Sequence, residues 1–228
     1  VSLLARFLDP STVSLKICGV TVASDARQLV ALGVDALGVN FWPSSKRYLA
    51  PADAAWLRAL GGQILRVGVF VNDCGDLPIQ LFESGLIDAI QLHGDELPED
   101  LARLRMSGAP VIKAIGVASQ ADLGRAAEYQ AAAILLDAHA PGIYGGTGEV
   151  FDWDVALAFK QSHQEIPIIL AGGIAANNAE LAARHVRPSA LDVASGAESA
   201  PGTKDFTKVA ALLEALGRCG ETTFDYPC

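Results

Sequence analysis

The stretch PIILAGGIAANNAELAARHVRPSALDVASG, residues 167–196, holds one complete structural unit. PIIL is a short apolar run closed by a glycine pair, ANNAELAARH (176–185) has helical spacing, and ALDV is apolar again before a second glycine-bearing turn. Short runs of β-branched or large apolar residues that end on Gly or a polar residue are what strands buried on both faces look like. The stretch therefore reads as strand, helix, strand, with the two strands parallel.

The same pattern recurs outward from this unit. SLKIC (14–18), DALGVNF (35–41), ILRVGVFV (64–71), DAIQLHG (88–94), VIKAIGV (111–117) and AAILLDA (132–138) precede PIILAGG (167–173) and ALDVASG (190–196), making eight strands. Helical spacing is read over SDARQLVALG (24–33), PADAAWLRALG (51–61), PEDLARLRM (98–106), SQADLGRAAEY (119–129), Phe151 to His163 and KDFTKVAALLEALG (204–217). Pro51 suits a first helical turn and Gly61 suits the stop. Eight alternations without a linker imply an α/β protein that is a single (β/α)8 TIM barrel over residues 1–228, with 1–13 and 218–228 as terminal extensions. An open doubly wound sheet also alternates, but the absence of GxGxxG after the first strand favours the barrel.

Composition narrows the partners. Hydrophobic residues make up 51% of the 228 and charged residues 19%, enough apolar mass for a large core. A net charge of −9 argues against nucleic acid or an acidic membrane as partner, since both select basic surfaces. Cys18, Cys74, Cys219 and Cys228 form neither a CxxC nor a metal-ligand pattern, and so few in so long a chain suggest a reducing, cytoplasmic setting. No apolar run reaches the roughly 18 residues of a membrane span, and VSLLARFLDP is too short for a signal peptide. The opening Val1 leaves processing or excision from a fusion open.

In a barrel of this kind the active site lies at the C-terminal ends of the strands. The polar residues there are Cys18, Asn40, Asn72, His93, Lys113, Asp137, Gly172 with Gly173, and Asp192 with Ser195 and Gly196. Glycines on strands seven and eight let backbone N–H groups approach an anion, and a short helix near Ser195 adds its positive end, so Gly172, Gly173, Ser195 and Gly196 are read as a phosphate site. Each glycine turn alone would be read as chain reversal.

The motifs KICGVT, NFWPSSKRY, VGVFVN, QLHGDE, VIKAIGV, LLDAHAPGIYGGTGEVFDW, LAGGI and LDVASGAE follow one another on these strands from about Lys16 to Asp205. In that order they resemble the phosphoribosylanthranilate isomerase family of tryptophan biosynthesis. The resemblance implies an Amadori rearrangement of N-(5'-phosphoribosyl)anthranilate, a small-molecule phosphosugar, with neither metal nor nucleotide cofactor. It implies Cys18 as general base, Asp137 as general acid and Arg47 as the anchor of the anthranilate carboxylate. A planar guanidinium fork suits a carboxylate.

The physical reading agrees with that division, because strands one and six are not neighbours and one group can take a proton while the other gives one. Asp137 then calls for an apolar surround that keeps it protonated, and Cys18 must reach its thiolate. Capping of the next loop is the structural alternative for Asp137, and packing is the alternative for Cys18. His93 is read as a pocket residue, Asp192 as either touching substrate hydroxyls or orienting the eighth loop, Lys46 as surface charge, and Lys113 as lining the barrel or balancing a buried carboxylate. The glycine-rich segment Ala138 to Val150 is read as a lid over the site.

Two departures from the family pattern stand out: Ala194 where serine is common and Glu149 where a basic residue is common. The rival enzyme is the histidine-pathway relative, which resembles a two-aspartate solution and lacks the Cys18 and Arg47 features. A barrel that only binds a phosphosugar, or a module fused to or associated with other tryptophan-pathway enzymes, is the non-catalytic alternative.

Overall fold

The structure is a computed structural model and describes residues 1–138 and 151–218. The lid reading beyond Ala138, Glu149, and the tail with Cys219 and Cys228 lie outside the described residues. Eight parallel strands close a barrel in chain order. They are β1 (Ser14–Cys18), β2 (Ala36–Asn40), β3 (Leu65–Phe70), β4 (Ala89–Leu92), β5 (Val111–Val117), β6 (Ala133–Ala138), β7 (Ile168–Leu170) and β8 (Ala190–Val193). β8 pairs back onto β1, with Lys16 opposite Asp192 in the register.

Alternation along each strand sorts the side chains into two sets. Leu15, Ile17, Leu37, Val39, Ile90 and Leu92 point outward and pack with Leu29, Leu57 and Leu104 of the surrounding helices. Ala36, Leu65, Val67, Ala89, Ile112, Leu135, Ile169 and Ala190 fill the lower interior. Phe7 joins that interior group from α1 (Leu3–Phe7), the short helix ahead of β1, and is 1% exposed. α1 thus plugs the mouth opposite the strand C-termini. Above this apolar plug the inward positions turn polar: Lys16, Gln91 and Asp192 are all buried.

The outer ring holds α2 (Ala23–Ala31), α3 (Asp76–Glu83), α4 (Leu101–Met106), α5 (Trp153–Ser162), α6 (Ala176–Val186) and α7 (Phe206–Ala215). α3 is absent from the pattern reading; Pro78 lies in its first turn, and Gly75 at its start provides no capping side chain. Pro51–Leu60 winds as a 3-10 helix, and 119–129 breaks into two 3-10 turns around Gly124. There the Asp122 carboxylate accepts from Ala118 N and Ser119 N and anchors the first turn. The helix read from Lys204 starts two residues later, because Asp205 is its N-cap and accepts from Thr207 N and Lys208 N. Lys204 belongs instead to a small hairpin of β9 (Glu198–Ala200) and β10 (Thr203–Lys204) beside the mouth. No helix among the described residues is long and apolar enough to cross a membrane.

Candidate active site

The strand ends and their loops enclose a cavity of about 310 Å3 lined by Cys18, Arg47, His93, Asp137, Gly172, Gly173, Asp192 and Ser195. One sequence reading changes here and one left open is decided. Gly196 does not line the cavity; a side chain there would strike the Ile174 carbonyl, so its glycine character serves packing. Lys113 balances a buried carboxylate: its Nζ is 2.7 Å from Glu96 Oε2 and also donates to the Gly94 carbonyl. Glu96 in turn accepts from Asn72 N and Gly94 N, which fixes the loop that carries His93.

Cys18 ends β1 with its side chain turned inward, two residues beyond Lys16 on the same face. Lys16 Nζ donates to Asp192 Oδ1 at 2.8 Å, and both groups are almost wholly shielded from solvent. Burial pushes the Cys18 thiol up; Lys16 pulls it down, Asp192 pushes it up and Lys204 pulls it down, with a net rise. Lys16 itself loses by burial, but Asp192 and Cys18 outweigh that and hold its ammonium above the ordinary range. The other described cysteine, Cys74, lies away from the cavity, and burial pushes its thiol up to about 12.

Asp137 ends β6, separated from β1 in the barrel by β7 and β8. Its surround is not the apolar one the sequence suggests. Oδ2 lies 3.2 Å from His93 Nε2, and Oδ1 accepts from Ala138 N at 2.9 Å. Gln91, two residues below His93 on the same inward face, places Nε2 at 3.2 Å from His93 Nδ1. The Gln91 side-chain amide occupies Nδ1, which leaves Nε2 directed at Asp137 Oδ2. The reason for a polar surround lies in the strand period, which sends Gln91 and His93 inward together. Gly172 has φ +77°, and a Cβ there would lie 2.7 Å from Ala138 N and 3.0 Å from Asp137 Oδ1. Only glycine lets the β7 turn pass this close to the carboxylate.

Arg47 crosses from the loop after β2 over Gly19, where a side chain would collide with its Cδ. Its Nε lies 2.9 Å from Glu198 Oε1 and its Nη2 lies 2.6 Å from Oε2. The fork that sequence reasoning assigns to a ligand is thus engaged along its Nε–Nη2 edge, while Arg47 still lines the cavity. Lys204, 5% exposed, donates to Glu198 Oε1 at 2.6 Å and to the Cys18 carbonyl at 2.5 Å. Burial pushes the Glu198 carboxyl up, but hydrogen bonds and charge from Arg47 and Lys204 together hold it below the usual carboxylate range.

Comparison with known proteins settles the family. A family model described as N-(5'phosphoribosyl)anthranilate (PRA) isomerase matches residues 15–215. The chain belongs to the phosphoribosylanthranilate isomerase family. A relative named N-(5'-phosphoribosyl)anthranilate isomerase, from Myxococcus xanthus, is 44% identical over 209 residues, spanning 90% of this chain and 96% of that one. The crystal structure of phosphoribosyl anthranilate isomerase from Thermotoga maritima matches with a TM-score of 0.81 at 37% identity, covering 90% of this chain and 99% of that chain. A further solved phosphoribosyl anthranilate isomerase, in complex with reduced 1-(o-carboxyphenylamino)-1-deoxyribulose 5-phosphate, has a TM-score of 0.77 at 36% identity, covering 90% and 99%.

Against this family frame, the sequence reading brought Cys18, Arg47, His93, Asp137, Asp192 and the glycine pair to one cavity. It missed the groups beneath them: Lys16, Gln91, Glu198 and Lys204. A signal was present for the first two, since a charge or amide at an inward position of an otherwise apolar strand needs a partner inside the barrel. Glu198 and Lys204 carry no such signal, because only the hairpin brings them over β1 and the loop after β2.

Proposed function

We propose that the chain catalyses the Amadori rearrangement of N-(5'-phosphoribosyl)anthranilate to 1-(2-carboxyphenylamino)-1-deoxyribulose 5-phosphate. The observation that carries the reading is the placement of Cys18 and Asp137 on non-adjacent strands of one cavity that also receives Arg47 and the β7 glycine turn. Protonated Asp137, 3.2 Å from His93, delivers its proton to the ribose ring oxygen; the C1–O bond breaks and a protonated Schiff base forms with the anthranilate nitrogen. Cys18, as thiolate, then removes the proton at C2, and the enol so formed takes up a proton at C1 as it becomes the ketone. No oxidant or hydride acceptor enters this balance.

Arg47 binds the anthranilate carboxylate by the guanidinium nitrogen that Glu198 does not engage, and the backbone N–H groups of Gly172, Gly173 and Ser195 bind the phosphate. Two consecutive glycines with φ of +77° and +61° support the second assignment, since that backbone presents amides to an anion. Asp192 serves as the partner of Lys16 and orients β8, the second of the two roles the sequence left open. The chain works as one barrel unit in the cytoplasm, with α1 closing the end opposite the site.

The test is turnover of freshly generated phosphoribosylanthranilate, followed as loss of its fluorescence. The wild type should be active, folded Cys18→Ala and Asp137→Asn should lose at least about a hundred-fold in kcat, and Arg47→Ala should act mainly through KM. An inactive wild type that still binds a phosphorylated analogue would replace this reading with a binding barrel.

A further inference from the structure

We propose that Lys16 is a positioning residue whose buried ammonium, locked in place by Asp192, brings the Cys18 thiolate into reach inside a cavity that otherwise opposes it. The proposal rests on the reading of Cys18 as the base. Three separate features of the barrel support it. Lys16 and Cys18 share the inward face of β1, and Asp192 stands opposite Lys16 in the β1–β8 register, so the ammonium cannot swing to solvent. Its side chain is 0% exposed, and a lysine buried this far is retained at a cost in desolvation. The third feature is Gly38, the register partner of Cys18 on β2: a Cβ there would lie 2.7 Å from Cys18 Sγ and 2.9 Å from Lys16 Nζ. Both atoms therefore flank one small space that β2 leaves empty by having no side chain.

The charges that face Cys18 are Lys16 from β1, Asp192 from β8, Lys204 from β10 and Arg47 from the loop after β2, while His93 and Asp137 line the same cavity from β4 and β6. Lys204 and Arg47 share the single negative charge of Glu198, and Asp192 disfavours a thiolate. Lys16 is the largest favourable charge acting on the thiol, ahead of Lys204. Its bond to Asp192 fixes the ammonium beside Sγ, and the thiol proton leaves to solvent or substrate while Lys16 stays charged in both states. Cys18 is held by its neighbour through charge, and Lys16 acts through Cys18.

The experiment reads the thiolate without turnover. Alkylation of Cys18 by iodoacetamide is followed by mass spectrometry across pH in the full chain, with Cys74 as an internal control away from the cavity. In Lys16→Gln, which keeps a donor for Asp192 but removes the charge, the alkylation midpoint of Cys18 should rise by about one unit or more, a ten-fold or greater loss of thiolate below the midpoint. The Cys74 profile should not move. Lys16→Arg, which keeps the charge, should restore at least part of the shift, and the rising limb of kcat/KM with pH should move upward in parallel with the alkylation midpoint. An unchanged Cys18 midpoint in folded Lys16→Gln overturns the inference, as does a failure of Lys16→Gln and Lys16→Arg alike to fold, which would make the residue structural. Full activity of Cys18→Ala would sink the base reading instead and leave the alkylation result standing.

Discussion

Removing the Glu198 carboxylate should unfasten the site and the fold together. Glu198 accepts from Arg47 Nε and Nη2, from Lys204 Nζ at 2.6 Å and from Gly202 N at 3.1 Å, and is 6% exposed. In Glu198→Ala two cations are left facing each other, one of them the fully enclosed Lys204 side chain. Breaking a buried pair by deleting one partner costs about 3–5 kcal/mol, because the remaining charge is desolvated and unpaired. For a domain of this size roughly 2–4 °C of Tm accompanies each kcal/mol. Glu198→Gln keeps an acceptor for one donor and should lose less. The pH dependence has a definite sign: the folded carboxyl lies below its ordinary value of 4.5, so its contribution is present above that value and is lost as pH falls through the folded one. Urea unfolding at pH 7 and pH 4 should therefore show the gap between wild type and Glu198→Gln narrowing at the lower pH. Substrate KM should rise as Arg47 loses its brace. A Glu198→Ala variant with wild-type stability at pH 7 and unchanged KM would refute the reasoning.

Two further perturbations separate chemistry from scaffold. Gly172→Ala forces a side chain onto a backbone at φ +77° and against Ala138 N and Asp137 Oδ1, so kcat should fall at least about ten-fold, with a strain cost of about 1–2 kcal/mol, read by kinetics and thermal melts. Phe7→Ala, at the opposite mouth, should cost about 3–5 kcal/mol in urea unfolding while leaving KM unchanged; a KM effect would mean that the plug communicates with the site.

Fold and site differed in how far the sequence exposed them. The strands were legible because burial on both faces writes a continuous apolar run, as IIL at 168–170 and LRVGVF at 65–70 show. The outer ring was less so: the 3-10 winding at 51–60 and the break at Gly124 depend on how short segments fit against the barrel, which periodicity does not encode. Site residues at strand ends were legible because barrel topology says where to look. Their supports were not, since the pairing of Lys16 with Asp192 across 176 positions, or of Arg47 with Glu198 across 151, exists only once the barrel has closed. The apolar surround expected for Asp137 failed for the same reason, as ILL in the sequence flanks it on the strand while His93 meets it across the interior.

The polar upper interior sits directly on an apolar plug, and that contrast makes a thermodynamic claim about why it is there. Buried ion pairs contribute little to stability when desolvation is counted, and well-packed apolar replacements of the whole pair are commonly neutral or stabilising by about 1–4 kcal/mol. Lys16 and Asp192 are two such groups, paired at 2.8 Å, with Ala190 of the apolar layer two residues below Asp192 on β8. If the pair exists for chemistry, Lys16→Met alone should destabilise by about 3–5 kcal/mol, because it strands Asp192 without its cation. The double variant Lys16→Met, Asp192→Leu should recover most or all of that loss and remain inactive. Stability and activity would then part company, as expected where a site is kept at the expense of an easier core. Urea unfolding of the wild type, both single variants and the double variant decides the matter by a mutant cycle. A double variant less stable than either single one would show that the ion pair holds the barrel mouth together, and the functional account of its burial would fall.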